Sequence, residues 1–333
     1  MGRRVLVTGV AGTLGGLVAA ELARVPGVDR VIGVDSSTPT VPPGDGVEVL
    51  SLDVRNASVV TAVRGLGVDT VVHMGVITTP VEAGGRASMK EINVIGTMHL
   101  LAACQKLPTL DRLIVRSSAG VYGSGPADPA MFTEVTEPTR PPRSGWGRDC
   151  IDVEASVRGF ARRRRDVATS TLRFAHAIGP TLRTGFTDLF LLPAVPAPLG
   201  RDARLQFVHT DDIVAAVVRA ATIGCPATGQ INVAGPGCIT VMQAARMAGR
   251  PVLGLPAAAL RRLHRFPGAA RGMDLTDDDI ALLSFGRVLD TSRMTTVLGL
   301  RPAYSTAQAF ADFVAARQLS SPMSRVLSAV RPT

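Results

Sequence analysis

A glycine-rich turn between an apolar run and a helical run constrains the fold of this chain more than any other feature. Residues 4–8 form a short apolar run of the kind found in strands buried on both faces. Glycines follow at positions 9, 12 and 15, and the apolar spacing of residues 17–23 predicts a helix. Such glycines permit a tight turn, close approach of the backbone to a pyrophosphate, and close packing of the helix on the strand. The sequence therefore predicts a dinucleotide-binding β-α-β unit, with the phosphates at the positive end of the helix dipole.

The second strand of this unit, residues 30–34, ends in an acidic residue. Asp35 stands where a carboxylate can hold the ribose hydroxyls of adenosine. A carboxylate there repels a 2′-phosphate and favours NAD, but the hydroxyls of residues 36–38 could bind that phosphate, so NADP remains an alternative. The predicted cofactor contacts in this unit are Gly9, Ala11, Gly12, Thr13, Leu14, Gly15, Asp35 and Ser36.

Strand-like and helical segments alternate along the first half of the chain, which predicts an α/β fold with a Rossmann-type, doubly wound parallel sheet. Further strands are expected at 47–52, 70–73, 113–116 and 169–173, with helices around 56–64, 86–105 and 147–164. After residue 175 prolines interrupt the pattern, which indicates a smaller C-terminal lobe over the carboxyl edge of the sheet, where ligands bind in such folds. The expected division is a dinucleotide-binding domain at 1–174 plus 207–231, a substrate-binding lobe at 175–206 plus 232–319, and a flexible tail at 320–333.

Composition narrows the classes of partner. The net charge of +9 comes largely from local arginine runs without interleaved aromatic residues, so we expect a solvated face or an acidic substrate rather than nucleic acid. No apolar run reaches the roughly 18 residues that span a bilayer, and the N-terminus already reads as a strand rather than a signal peptide. Four cysteines without a CxxC pair predict no metal site and suit the reducing cytoplasm. We expect a monomer or a homodimer that acts on a small molecule.

Further motifs resemble the extended short-chain dehydrogenase/reductases, the family of NAD-dependent epimerases and dehydratases. They are Asp53-Val54, His73-Met74-Gly75, residues 93–97, residues 117–123 and residues 207–212. The resemblance runs from the glycine turn to about residue 318. It implies additional cofactor contacts at Asp53, Val54, Met74, Gly75, Asn93 and Ser117, and it places Ser118 at the family's catalytic-serine position.

Two positions depart from this family. Its members carry a Tyr that exchanges the proton and, four residues later, a Lys that binds the nicotinamide ribose and lowers the pKa of the Tyr. Here these positions hold Trp146 and Cys150. An indole does not exchange a proton near neutral pH, and a thiol is not a permanent cation. Among family members the chain resembles atypical ones with a broken triad, such as a ketoreductase that acts on an angucyclinone.

Three side chains are candidates for supplying or directing a proton. Tyr122 carries one of the two phenols of the chain, and its alternative is a packed aromatic residue. Ser118 could polarise a carbonyl, or it could be structural. His176 titrates in a useful range, or it is a satisfied buried histidine. Cys150 is expected to be a small packing residue, and His73 and His209 are expected to be structural.

These observations predict an NAD(P)H-dependent ketoreductase of a bulky, polycyclic aromatic ketone in antibiotic biosynthesis, with the reduced cofactor as hydride donor. A phenol beside the carbonyl of the substrate could supply the proton, and Trp146 would offer a flat apolar wall. Two alternatives remain: a catalytically silent NAD(P)-binding sensor or partner protein, and a nucleotide-sugar epimerase or dehydratase.

Overall fold

Seven parallel strands form the central sheet of the computed structural model, which describes residues 2–39, 43–56, 58–143, 145–261 and 276–317. The strands of the whole structure are, in chain order, β1 (Arg3–Thr8), β2 (Val28–Asp35), β3 (Val47–Ser51), β4 (Thr70–His73), β5 (Arg112–Ser118), β6 (Ala168–Phe174), β7 (His176–Ile178), β8 (Val195–Pro198), β9 (Arg204–Leu205), β10 (Phe207–His209), β11 (Gly229–Val233), β12 (Ile239–Thr240) and β13 (Val252–Leu255). The order in the central sheet is β11-β6-β5-β4-β1-β2-β3, which confirms the predicted doubly wound α/β fold.

Helices connect these strands on both faces of the sheet. They are α1 (Thr13–Arg24), α2 (Val59–Arg64), α3 (Pro80–Ala83), α4 (Arg86–Lys90), α5 (Gly96–Gln105), α6 (Gly145–Arg163), α7 (Gly185–Asp188), α8 (Thr210–Thr222), α9 (Val241–Met247), α10 (Ala257–Leu260), α11 (Asp277–Phe285), α12 (Ser292–Val297) and α13 (Thr306–Ala316). The predicted continuous helix at 86–105 is instead α4 and α5 joined by a π-helical segment, Glu91–Ile95. Described helices include none that is both long and apolar enough to cross a membrane.

Alternate residues of the central strands pack into two cores. Val5 and Val7 of β1 face the layer of α1 and α8, whereas Leu6 faces the layer of α2, α5 and α6. Each of these side chains is completely buried, and full burial of a Val or Leu contributes about 1.5–3 kcal/mol. Apolar residues at consecutive strand positions are therefore required, because both faces of the sheet are covered.

The C-terminal lobe is built from short strand pairs and its own aromatic core. β7 pairs with β10, β8 with β13 and β9 with β12, and only the last pair is antiparallel. The largest buried side chains of this core are Phe190, Phe207, Phe310 and Phe313. β11 lies in the central sheet and ends at Val233, two residues beyond the predicted domain boundary. The proposed tail at 320–333 lies outside the described residues.

Candidate functional site

The glycine loop between β1 and α1 has the shape that a pyrophosphate requires. Gly9 has a φ of +80°, and a Cβ built on it would lie 2.4 Å from the Cα of Gly75. A Cβ on Gly15 would lie 2.1 Å from the carbonyl oxygen of Gly9. Gly12 differs, because within 4 Å its Cβ would meet only that same oxygen, at 3.4 Å. The outer side of the loop is therefore an open cradle, which fits a bound dinucleotide.

The start of α1 leaves backbone donors for this cradle. Gly12 occupies the N-cap position and therefore provides no side chain to cap the first N–H groups of the helix. Gly12 and Thr13 are exposed, whereas Leu14 is buried and reaches the wall of the cavity described below. A helix N-terminus in this condition favours an anion.

Asp35 lies beside the glycine loop, as the sequence predicts. Its carboxylate accepts hydrogen bonds from the N–H groups of Ala11 and Ser37, each at 3.0 Å. The side chain is partly buried, and Ser36 beside it is exposed. This arrangement fixes the carboxylate at the end of β2, next to the loop.

Asp53, a predicted cofactor contact, forms an ion pair with Arg55. The Arg55 guanidinium donates to both carboxylate oxygens of Asp53 and lowers the pKa of that carboxyl group. Val54 packs where a Cβ on Gly96 would come within 2.9 Å of its side chain. This contact holds the loop after β3 against α5.

The turn after β4 packs against the glycine loop. His73 is fully buried and is hydrogen-bonded to the hydroxyls of Thr8 and Thr97 at 2.7 and 2.8 Å. Burial lowers the pKa of His73 to about 4, with a smaller effect from Arg116, so the ring is neutral and structural, as predicted. Met74 is buried, and the N–H of Gly75 donates to the Thr8 hydroxyl.

Hydrogen bonds of the Asn93 side chain link the loop after β4 to the start of α6. Its side chain exchanges two 2.8 Å hydrogen bonds with the backbone of Ile77 and donates to Asp149. Asp149 is fully buried and pairs with Arg86. The amide of Asn93 is therefore engaged within the protein, so its predicted role as a cofactor contact is indirect at most. Neither Arg86 nor Asp149 was signalled by the sequence.

A cavity of about 520 Å³ lies between the carboxyl edge of the sheet and the C-terminal lobe. Its walls include parts of both regions, from the first residues of α1 to the start of α11. Its larger apolar and aromatic wall residues are Leu14, Trp146, Phe174, Phe186, Ile213 and Leu282. Such a mainly apolar cleft with a few polar groups is typical of a small-molecule site.

Ser118 lines this cavity at the end of β5. Its hydroxyl oxygen accepts a hydrogen bond from the N–H of Gly120 at 3.0 Å. That bond uses a lone pair and leaves the hydroxyl proton free to donate toward a ligand. The neighbouring Ser117 is buried, and its hydroxyl donates to Glu154 at 2.7 Å, so its side chain is engaged within the protein.

The sequence made Tyr122 a candidate proton donor, and its position in the structure shows that this prediction was wrong. Its ring is buried, and the side chain is absent from the described walls of the cavity. The hydroxyl donates to Asn232 and accepts from Arg173, each at 2.8 Å. Burial raises the pKa of this phenol. Tyr122 is therefore the packed aromatic residue that the sequence left as the alternative.

His176 lines the cavity and stacks on Phe186, with ring centroids 4.3 Å apart. Its Nε2 is buried and finds no hydrogen-bond partner in the described part of the chain. Burial lowers the pKa of His176 to about 3, with Arg287 adding to the effect. The ring is therefore neutral at physiological pH and cannot serve as a proton source there.

Trp146 and Cys150 differ in their exposure to the cavity. The half-buried Trp146 indole forms part of the same cavity wall as Ser118. Cys150 is fully buried one turn further along α6, and burial raises the pKa of its thiol well above the usual value. Cys150 is thus a small packing residue, as expected, and Trp146 occupies the exposed position.

Charged residues that the sequence did not single out complete the cavity. Arg287 donates to the carbonyl oxygens of Ala119 and Gly123, and burial lowers its pKa to about 10. Arg261 pairs with Asp277 at 2.6 Å. The remaining charged wall residues in the described chain are Arg116, Asp278 and Asp279. Burial raises the pKa of both aspartates.

A comparison with protein-family models finds one described as the NAD dependent epimerase/dehydratase family, which matches residues 5–234. An uncharacterized protein of Mycobacterium tuberculosis is 41% identical over 322 residues, covering 95% of this chain and 84% of that protein. A second uncharacterized protein of that species is 26% identical over 314 residues, which are 94% of this chain and 30% of the longer protein.

Among solved structures, similar folds are found in nucleotide-sugar complexes. MoeE5 in complex with UDP-glucose and NAD superposes with a TM-score of 0.72 at 23% identity, covering 95% of this chain and 100% of that one. UDP-glucose 4-epimerase of Thermotoga maritima with UDP-glucose has a TM-score of 0.72 at 20% identity, with coverage of 95% and 98%. At these identities the likeness establishes a shared fold.

Proposed function

We propose, on the premise that this chain belongs to the NAD dependent epimerase/dehydratase family, that it is an NAD(P)H-dependent reductase of a carbonyl group. The family confirms the predicted NAD-type cofactor. The proposal extends this to a bulky, polycyclic aromatic ketone of the angucyclinone kind, such as occurs in antibiotic biosynthesis, as substrate. The glycine cradle, Asp35 and the start of α1 would hold the dinucleotide, which supplies a hydride when it is bound in reduced form.

The observation that carries this proposal is the nature of the cavity wall beside Ser118. Trp146 stands there in place of a proton-exchanging phenol. The two tyrosines of the chain lie elsewhere: Tyr122 in a buried network and Tyr304 stacked on His209. A flat indole suits a fused aromatic ring, and Phe174, Phe186 and Ile213 add apolar surface to the same cavity.

The protein's own residues then position the carbonyl rather than protonate it. The free hydroxyl proton of Ser118 can donate to the carbonyl oxygen of the substrate. As the hydride adds to the carbonyl carbon, a phenol next to that carbonyl would transfer its proton to the oxygen, which gives the alcohol and balances the charge. The proton would later be replaced from water.

A nucleotide-sugar epimerase or dehydratase is the second candidate. The description of the family and the UDP-sugars in the similar folds favour it. It would require a protein acid and base other than the family's Tyr, and the neutral His176 does not supply the acid. A catalytically silent cofactor-binding protein is the third alternative.

The deciding experiment follows NADH and NADPH oxidation by absorbance with polycyclic hydroxy-ketones and, in parallel, with UDP-glucose. Turnover of an aromatic ketone is expected. Tyr122→Phe should retain most of that activity, and Ser118→Ala should lose only the contribution of one hydrogen bond to the carbonyl, well short of a thousandfold. A thousandfold loss of kcat/KM in either variant would contradict a proton supplied by the substrate. Epimerisation or dehydration leaves no net change in the nicotinamide, so the UDP-glucose reaction is run with NAD⁺ and its sugar product is identified by chromatography. Conversion of UDP-glucose but not of the ketones would favour the second candidate, and binding of NADH without any turnover would favour the third.

A further inference from the structure

Arg116 is a cation in the cavity wall for which the described protein offers no partner. It lies on β5, two residues before Ser118, and is partly buried. The other two arginines of the described wall are engaged, Arg261 with Asp277 and Arg287 with two carbonyl oxygens. Arg116 makes neither a hydrogen bond nor an ion pair of 4 Å or less with any residue from the described ranges.

The surroundings of Arg116 do not balance its charge. Burial lowers the pKa of Arg116, and the groups that oppose this are the Cys150 thiol, which stays protonated and uncharged, and the exposed carboxylate of Glu82 on α3. No carboxylate of the described chain lies within 4 Å of the guanidinium. The neutral ring of His73 lies on the neighbouring strand. Keeping a guanidinium away from bulk water without an anion is costly, and a ligand that brings the anion removes that cost.

The acidic residues of the cavity lie near the other arginines. Asp277 pairs with Arg261, and Asp278 and Asp279 act on Arg287. The cavity wall also includes Thr78, Thr79 and Pro80, which carry no charge. Among the three arginines of the described wall, Arg116 is therefore the one that has neither a hydrogen-bond acceptor nor an ion-pair partner in the described chain.

We propose that Arg116 binds a carboxylate of the ligand that occupies this cavity, so that the substrate is an aromatic acid as well as a ketone. A planar guanidinium binds a carboxylate through two parallel hydrogen bonds, which fixes the orientation of a flat ligand. Residues two apart on a strand are separated by roughly 7 Å. Arg116 would thus hold one edge of the ring system while Ser118 contacts the carbonyl at another. This inference rests on the proposed function only in calling the ligand the substrate.

The test measures binding by isothermal titration calorimetry with NAD⁺-saturated protein, using 2-naphthoate and its neutral carboxamide as probes. The wild type should bind the acid more tightly than the amide. Arg116→Gln should weaken the acid about ten- to hundredfold, as expected for loss of a charge-assisted hydrogen-bonded pair, and leave the amide unchanged. Arg116→Lys should recover part of the affinity. Arg261→Gln is the matched control, because that cavity arginine already has an aspartate partner.

The affinity for NAD⁺ shows whether the Arg116 guanidinium binds the acidic ligand or the cofactor. An NAD⁺ dissociation constant that stays within about twofold in Arg116→Gln supports the proposal. If Arg116→Gln binds NAD⁺ tenfold more weakly and still prefers the acid over the amide as the wild type does, the proposal is overturned and Arg116 is assigned to the cofactor. Equal binding of acid and amide by the wild type also overturns it, whether or not the variants fold. None of these readouts requires turnover, so the proposed reaction can fail while this inference stands.

Discussion

At the scale of single residues, the structure separates side chains that line the cavity from candidate catalytic side chains whose polar atoms are bonded inside the protein. Tyr122 is the clearest example, because its hydroxyl is held by Asn232 and Arg173 inside the protein. We expect Tyr122→Phe to lower the free energy of unfolding by about 1–3 kcal/mol, since it leaves buried polar groups short of a partner. Urea unfolding followed by the fluorescence of Trp146, the single tryptophan, measures this directly.

The other tyrosine is the control for this prediction. The hydroxyl of Tyr304 makes no hydrogen bond to residues whose placement the structure describes, and its ring stacks on His209. Tyr304→Phe should change the unfolding free energy by less than about 0.5 kcal/mol. Equal effects of the two substitutions would show that the buried network around Tyr122 contributes nothing.

At the scale of elements, replacing either of two glycines of the loop and α1 with alanine should have different effects on cofactor binding and stability. Gly12→Ala adds a methyl group on the open side of the loop, where its only close neighbour is the Gly9 oxygen at 3.4 Å. It should weaken NADH binding at least tenfold, by obstructing the approach of the phosphates, with little change in stability. Energy transfer from Trp146 to bound NADH measures the affinity.

Gly15→Ala is the contrasting variant, because its Cβ would lie 2.1 Å from the Gly9 oxygen. This change should lower both cofactor affinity and the unfolding midpoint, since the loop must move away from the helix. Full NADH affinity in Gly12→Ala would mean that this side of the loop does not face the phosphates.

Helices and strands are predicted correctly from the sequence where burial imposes an apolar pattern. The prediction fails where tertiary contacts determine the local conformation. β1, β2, β4 and β5 contain apolar runs because both faces of the sheet are covered there. The edge strand β3 is largely exposed, and β6 carries Thr and Ser residues. The π-helical segment after α4 was not visible, because its sequence has ordinary helical character and Asn93 within it is tied to Ile77. Pro196 and Pro198, expected only to interrupt structure, lie in β8, which pairs with a single partner strand.

At the scale of the whole molecule, the cavity depends on residues that lie far apart in the sequence. Arg287 donates to Ala119 across 168 positions of the chain, and both residues are near Ser118. The sequence could predict Asp35, Ser118 and Trp146, because each belongs to a local motif at a strand or helix end. It could not predict Arg116 or Asp278 as wall residues, because neither belongs to such a motif and only the packing of the C-terminal lobe on the sheet encloses them.

Global stability should depend on pH through His73, which joins β1, β4 and α5. Its pKa is about 4 in the folded protein and 6.5 as the ordinary value. Because the folded pKa is the lower one, the unfolded chain binds the proton first as the pH falls below 6.5. The neutral ring therefore stabilises the fold above that pH, and this stability is lost toward pH 4, by about 3 kcal/mol in all. The slope is about 1.4 kcal/mol per pH unit for one proton.

His73→Gln isolates this effect, because an amide can still bridge Thr8 and Thr97 but does not titrate. Urea unfolding between pH 7 and pH 4.5 should show a slope against pH that is smaller by one proton in the variant. His176, whose folded pKa of about 3 is also depressed, should leave a residual slope in both proteins. Identical slopes in the wild type and the variant would mean that His73 keeps a pKa near 6.5 in the folded protein and takes up its proton there as readily as in the unfolded chain. In that case the burial of His73 would not contribute to the pH dependence of stability.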